Sequence, residues 1–118
     1  MAKSKKSNIS SLLRQLPVLM RFGAHEYILE KTTIPEHRRN WGEIDSDKHK
    51  ILISIEAPNG KRLAETVLHE ALHGIWASRF LSNNAPEEQS VEQLANGIIA
   101  MFIDNPWMLA WLSRALRK

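Results

Sequence analysis

The 118-residue chain contains no cysteine, and this absence removes several classes of site at once. Without thiols there can be no disulfide framework, no thiolate nucleophile and no cysteine-based structural zinc site. No apolar run approaches the ~18 residues that a membrane-spanning helix needs, and the basic N-terminus does not resemble a secretory signal. We therefore expect a cytoplasmic protein, in which any metal is bound by histidine and carboxylate side chains.

Basic residues are concentrated at the two ends of the chain. Residues 1–25 carry five Lys/Arg and no acid, and residues 114–118 add three more, whereas the formal net charge of the whole chain is only +3. The body between the ends is therefore acidic. Basic ends can contact nucleic acid or an acidic partner, but they are commonly solvated termini. No basic patch interleaved with aromatic residues favours nucleic-acid binding.

The hydrophobic pattern predicts a single α+β domain over residues 9–118, preceded by a disordered basic segment at residues 1–8. A short helix is expected from Ile9 to Met20, with Pro17 breaking or kinking it. The other predicted elements are strands at 25–33, 41–45 and 49–56 and helices at about 61–80, 86–103 and 106–116. We therefore expect a small antiparallel sheet followed by three helices, the last of which closes the core.

One motif in the second half of the chain has a chemical meaning: His69-Glu70-Ala71-Leu72-His73. Residues four apart lie on the same face of a helix, so His69 and His73 can reach one tetrahedral ion. Glu70 is offset by one position and can reach a water bound to that ion, whose pKa zinc lowers to about 7. The motif therefore predicts two Zn²⁺ ligands and a general base.

Two interpretations of this motif compete. A pair of surface histidines on an amphipathic helix needs no metal. Around the motif, however, most residues are apolar: Val67, Leu68, Ala71, Leu72, Ile75 and Trp76. We therefore expect a helix of the core, in which two histidines and a glutamate would be costly to bury without a metal. This argument favours zinc.

A hydrolytic zinc site needs a third protein ligand and an open fourth position. The metzincin pattern would place another histidine six residues after His73, where this chain has Arg79. The metzincin type of site is therefore excluded, and the third ligand has to be a carboxylate from a later helix.

The next predicted helix begins with two such carboxylates, Glu87 and Glu88. Glu88 shares a helical face with Val91 and Ala95, and we expect this apolar face to pack against the zinc helix. Glu88 is therefore the preferred third metal ligand, with Glu87 as the alternative. Glu92, one turn further on, either accepts a hydrogen bond from a ligand histidine or is simply solvated.

HEALH followed by EEQSVEQLA resembles the gluzincin zinc metallopeptidases, in which H-E-x-x-H on one helix is completed by a glutamate on the next. The short chain and its early strands are similar to minimal gluzincins. They are also similar to small phage-encoded metallopeptidase-like proteins related to the SprT-like and ImmA/IrrE-like families. The resemblance implies hydrolysis of a peptide or protein substrate, with Zn²⁺ bound by His69, His73 and Glu88 and with Glu70 as base and acid.

The resemblance also implies a substrate peptide added to an edge strand beside the zinc, here the strand at 41–45 or the one at 51–55. Larger gluzincins have a further Tyr or His that stabilises the oxyanion. No position matches that residue, and the open candidates are His25, Tyr27, His37 and His49.

Two other functions stay open at this point. One is a non-catalytic binding or regulatory protein on a metallopeptidase scaffold, with a structural or vestigial zinc site. The other is a nucleic-acid-associated protein that uses the basic ends.

Overall fold

A computed structural model describes residues 5–34, 41–79 and 87–117, with side chains from Asn8 onward. Within these ranges the chain has the predicted α+β fold, in which helices cover one face of a four-stranded sheet. The elements are α1 (Lys5–Gln15), β1 (Leu19–Phe22), β2 (His25–Thr32), β3 (Gly42–Asp45), β4 (Lys50–Ser54), α2 (Gly60–Ser78), α3 (Glu87–Asp104) and α4 (Met108–Ala115).

The sheet is mixed, whereas the sequence pattern led us to expect antiparallel strands. Its order is β1-β2-β4-β3, with β1–β2 and β3–β4 antiparallel and the central pair β2–β4 parallel. Ile51 and Ile53 of β4 are completely buried. This apolar strand takes the interior position beside β2, which leaves its hairpin partner β3, with the charged Glu43 and Asp45, at the edge.

The N-terminal part of the chain differs most from its prediction. α1 begins at Lys5, inside the segment predicted to be disordered, and ends at Gln15, two residues before Pro17. Leu19 and Met20, predicted as the end of this helix, instead begin β1 (Leu19–Phe22). The reason is that Pro17 removes a helical hydrogen bond, and Met20 and Phe22 can then alternate into the core as strand residues.

The core lies between the sheet and α2. α2 buries Leu63, Val67, Ala71 and Ile75, a stripe with a spacing of four residues. The buried side chains of the sheet are Met20, Phe22, Tyr27, Leu29, Ile51 and Ile53. Each large side chain buried in this way contributes roughly 1.5–3 kcal/mol to folding. The sheet and this helix therefore form a firm support for whatever α2 presents on its other side.

The predicted helix at 61–80 is confirmed as α2, with a defined start. The side chain of Asn59 accepts a hydrogen bond from the backbone N–H of Arg62 at 2.9 Å, which caps the helix. α3 and α4 also lie where helices were predicted. Phe80 and Pro86, two predicted helix ends, fall outside the described residues. None of the helices in the described ranges combines the length and the apolar character needed to cross a membrane.

The β1 edge of the sheet is closed by the turn between α3 and α4. Oδ1 of Asn105 accepts the backbone N–H of Arg21 at 2.9 Å, and its Nδ2 donates to the Arg21 carbonyl at 2.7 Å. Asp104 accepts the backbone N–H of Gly23 at 3.1 Å. Asn105 thus makes the pair of hydrogen bonds that a neighbouring strand would make.

At the β3 edge, the described residues provide no such cover. Trp41 accepts the backbone N–H of Ser54 at 2.8 Å, and antiparallel pairing alternates along the strand. The backbone groups of Gly42 and Ile44 therefore point outward. Within the part of the chain that the structure describes, no hydrogen bond joins these two residues to another element at that edge.

Candidate metal centre and adjoining cleft

His69, Glu70 and His73 come together on one side of α2. They offer one ligand atom each, and these atoms lie within 4.8 Å of one another. The Nε2 atoms of His69 and His73 are 3.2 Å apart. Two nitrogen ligands at about 2.0–2.1 Å from a tetrahedral ion are separated by roughly 3.3–3.4 Å, so this spacing fits a shared ion. The group could hold a metal ion.

The burial of this group differs from the prediction. Glu70 is only 5% exposed, but both histidines are exposed. Positions 69 and 73 lie beside the buried stripe of α2 and not within it. Trp76, expected in the core, is 37% exposed for the same reason. The argument that burial without a metal is costly therefore applies to the Glu70 carboxylate and not to the two imidazoles.

The Glu70 carboxylate is held in an environment that favours its protonated form. Burial raises its pKa above the ordinary value, the nearby carboxylate of Glu43 adds to the rise, and His69 and His73 oppose it. Among the described residues no hydrogen bond reaches this carboxylate. A carboxylate with a raised pKa and free lone pairs next to two histidines is suited to accept and return a proton.

Strand β3 lies directly against Glu70 because residue 42 is a glycine. A Cβ at this position would be 2.8 Å from Cγ2 of Thr66 and 3.0 Å from Oε2 of Glu70. Both distances are shorter than normal contacts, so a side chain here would push β3 away from α2 or displace the carboxylate. Gly42 therefore allows the open edge of the sheet to approach the candidate centre.

A cleft of about 230 Å³ opens beside Glu70, between α2 and the start of β3. It is lined by Trp41, Gly42, Arg62, Glu65, Thr66, His69 and Glu70. The hydroxyl of Thr66 donates to the carbonyl of Arg62 at 2.8 Å, and its methyl group faces Gly42. The cleft is smaller than the roughly 300–1,000 Å³ of pockets that enclose whole ligands, so it fits a part of a larger molecule.

The sequence interpretation missed the cleft, although part of it can be read from spacing. Thr66 and Arg62 precede His69 by three and seven residues, and these offsets place all three on one helical face. Trp41 and Gly42 carry no comparable signal. Their position beside the cleft depends on the pairing of β3 at the sheet edge.

Glu88, the predicted third ligand, is exposed in the first turn of α3 and is not part of the group at His69. The side of α3 that faces α2 is marked by two contacts. Arg79, the residue directly after α2, donates to the side chain of Gln93 at 3.3 Å, and Gly97 packs against Ile75 and Arg79. At about 100° per residue, Glu88 lies about 140° from Gln93 and about 180° from Gly97 around the helix axis.

The helix-face argument that selected Glu88 is therefore wrong. It required Val91 and Ala95 to pack on α2, but both are exposed, Val91 by 54%. Glu87 and Glu92, the other two carboxylates considered, are exposed as well. Among the described residues, Glu70 is the carboxylate that the structure brings to the two histidines.

The residues considered for oxyanion stabilisation form a separate aromatic group. The rings of Tyr27 and His49 stack at 4.9 Å, and His25 meets His49 edge-on at 5.5 Å. None of the three lines the cleft beside Glu70. His37 falls outside the described residues. The structure thus gives Tyr27, His25 and His49 a packing role at the end of the sheet.

Comparison with known proteins adds no family assignment, because no protein-family model, no curated protein and no solved structure gives a significant match to the chain.

Proposed function

We propose that this protein is a zinc-dependent metallopeptidase of minimal gluzincin type. The observation that carries the proposal is the buried Glu70 carboxylate next to two histidine Nε2 atoms 3.2 Å apart, at the mouth of a cleft. Imidazole and carboxylate donors without any thiolate suit Zn²⁺ well. The cofactor, the reaction and the resemblance to gluzincins all belong to this proposal.

His69 and His73 would bind the ion, each through Nε2. A zinc ion bound there would act as a Lewis acid, polarising a carbonyl and lowering the pKa of a bound water to about 7. Glu70 takes the proton from the attacking water and returns it to the leaving amine. Its raised pKa supports this role, because a general base works best when its pKa is near the working pH.

The substrate would be a peptide or protein segment in extended form. The outward backbone groups of Gly42 and Ile44 provide hydrogen-bonding partners for such a segment at the open edge of β3. Because Gly42 lies against Glu70, a peptide paired with β3 runs past the proposed centre. The proposal therefore places the scissile bond beside Glu70 without a dedicated substrate domain.

The third protein ligand in this proposal is Glu88. Glu88 stays a prediction, and it would reach the ion only if α3 turned its exposed face towards α2. A site held by the two histidines without Glu88 would favour the alternative function, a binding or regulatory protein in which zinc does not support hydrolysis.

The test is Glu70-dependent cleavage by the zinc-loaded protein. Casein and a mixed peptide library serve as substrates, and Glu70→Gln is compared with wild type. We expect kcat/KM to fall at least ~100-fold, the usual contribution of a general base. Glu26→Gln makes the same chemical change at an exposed glutamate paired with Arg21 on β1, and it should leave the rate unchanged. Stoichiometric zinc without any Glu70-dependent cleavage would instead support the non-catalytic alternative.

A further inference from the structure

Charged side chains of both signs lie at the cleft beside Glu70: Arg62, Glu65 and Glu70 line it, and Lys61 lies close to Glu65 without lining it. Glu65 is approached by two cations, Arg62 at 3.8 Å and Lys61 at 4.0 Å. Both distances are too long for hydrogen bonds, and among the described residues the Arg62 guanidinium makes none. Arg62 lines the cleft, and its five guanidinium N–H donors are therefore available to hydrogen-bond a ligand there.

We propose that Arg62 makes this cleft a binding site for a carboxylate of the peptide substrate, an inference that rests on the proposed peptidase function. The carboxylate belongs to an acidic side chain or to the C-terminus of the peptide, since both present the same planar group. A guanidinium binds a carboxylate through two parallel hydrogen bonds, a geometry that no other group in the cleft can offer.

A cationic substrate group fits the cleft less well. It would have to compete with Arg62 and Lys61 for Glu65, and it would come to lie next to the Arg62 guanidinium. An incoming carboxylate is repelled less by Glu65, because the charge of Glu65 is already partly neutralised by Arg62 and Lys61. The divalent ion proposed at His69 and His73 also offsets the charge of Glu70.

The helix geometry sets where this carboxylate lies relative to the scissile bond. Arg62 precedes His69 by two helical turns, or about 10 Å along α2 at 1.5 Å per residue. An extended peptide covers about 10 Å in three residues. The recognised carboxylate should therefore lie two or three residues from the bond that is cut. Trp41 forms an aromatic wall for the chain in between.

The experiment measures peptide binding without cleavage. Zinc-loaded Glu70→Gln protein is titrated calorimetrically with three peptides at 0.15 M salt: acetyl-Ala-Ala-Glu-Ala-Ala-amide, its Gln counterpart, and that Gln peptide with a free C-terminal carboxylate. We expect one or both of the acidic peptides to bind at least tenfold more tightly than the neutral one. The amide and free-acid forms distinguish a side-chain carboxylate from a terminal one.

Substitutions at Arg62 and its neighbours assign the effect to one residue. Arg62→Gln should abolish the tenfold preference, and Arg62→Lys should retain part of it, because it keeps the charge but loses the planar fork. Lys61→Gln is the matched control: it removes the same charge from an adjacent side chain that does not line the cleft, and it should keep the preference. Glu65→Gln should strengthen binding of the acidic peptide about two- to threefold.

The outcomes separate this inference from the proposed function. Equal binding of all three peptides, no detectable binding of any of them, or loss of the preference in Lys61→Gln as large as in Arg62→Gln would each overturn the inference. Its failure alone would leave Glu70-dependent cleavage intact. Conversely, a carboxylate preference that depends on Arg62 would stand even if the wild-type protein cut none of these peptides.

Discussion

The two edges of the sheet are treated in opposite ways. At β1, the side chains of Asn105 and Asp104 occupy the backbone groups that a further strand would use. At β3, the outward groups of Gly42 and Ile44 have no such cover within the described ranges. An uncovered edge is a hazard, because it invites pairing with other chains.

The two edges also differ in what lies next to them. The closed edge is tied to the α3–α4 turn. The open edge lies against Glu70 through Gly42. Within the described residues, the edge that lies beside the buried glutamate is thus the one left without side-chain cover. Four substitutions can break or sharpen this contrast.

The largest effect on stability is expected at the closed edge. Asn105 is 2% exposed and makes three hydrogen bonds, two to Arg21 and one to the carbonyl of Met101. Asn105→Ala should lower the free energy of unfolding by about 3 kcal/mol, roughly 1 kcal/mol for each lost bond. Urea denaturation measures this, with Asn96→Ala at an exposed position of α3 as control. A cost below about 1 kcal/mol would mean that the bonds of Asn105 do not hold the edge.

Gly42→Ala tests the close approach at the open edge. The added methyl group would crowd Thr66 and Glu70, and we expect a loss of about 2 kcal/mol in unfolding free energy together with weaker zinc binding. Thr66→Ser removes the crowded Cγ2 and keeps the hydroxyl. The double variant should therefore recover at least about 0.5 kcal/mol relative to additivity. Strictly additive costs would show that β3 does not depend on this contact.

A smaller, pH-dependent effect is expected for Glu70→Gln in the metal-free protein. Burial raises the pKa of Glu70 above its ordinary value near 4.5, so the folded state keeps a proton that the unfolded chain releases. This contribution to stability is complete below about pH 4.5 and is lost as the pH rises through the folded-state pKa. The stability of Glu70→Gln relative to wild type should therefore rise between pH 4 and pH 7. Urea denaturation in EDTA at the two pH values checks this, and a difference independent of pH would contradict it.

The smallest effect is expected at Glu88, which belongs to neither edge. Its exposed position on the far side of α3 predicts that Glu88→Ala changes the zinc dissociation constant less than about twofold, whereas His73→Ala should raise it at least ~100-fold. Competition with a chromophoric chelator measures both. A large effect of Glu88→Ala would restore it as the third ligand and require α3 to turn.

Local signals predicted α2 well. Its apolar residues recur at three- and four-residue spacing, and Asn59 marks its start, so the helix and the proximity of its two histidines followed from the sequence. α3 was harder to orient. Val91, Ile99 and Ile103 are all exposed, so apolar residues occur around much of the helix and its periodicity does not identify the buried side. The face of α3 that was expected to pack on α2 was wrong for this reason, and Glu88 as third ligand stays a prediction.

The sequence pattern also could not predict which strands pair with each other. The alternation of Ile51 and Ile53 predicts a buried strand but does not identify the neighbouring strand. The parallel pairing of β2 with β4 depends on which strands take the interior positions of the sheet. The approach of Gly42 to Glu70 follows from that arrangement. The cleft was therefore visible only in part, through the helical spacing of Arg62 and Thr66 before His69.

The hydrogen bonds of the closed edge also have a consequence for the order of folding. Arg21 and Asn105 are 84 residues apart in the chain, and the indole of Trp111 donates to the carbonyl of Leu12 across 99 residues. Contacts this distant form late, because ordering the long intervening chain costs entropy before the contact stabilises anything. During synthesis, β1 and α1 must therefore wait for α4. Until then β1 has an exposed edge of its own, and a nascent chain is more prone to mispairing than the finished protein.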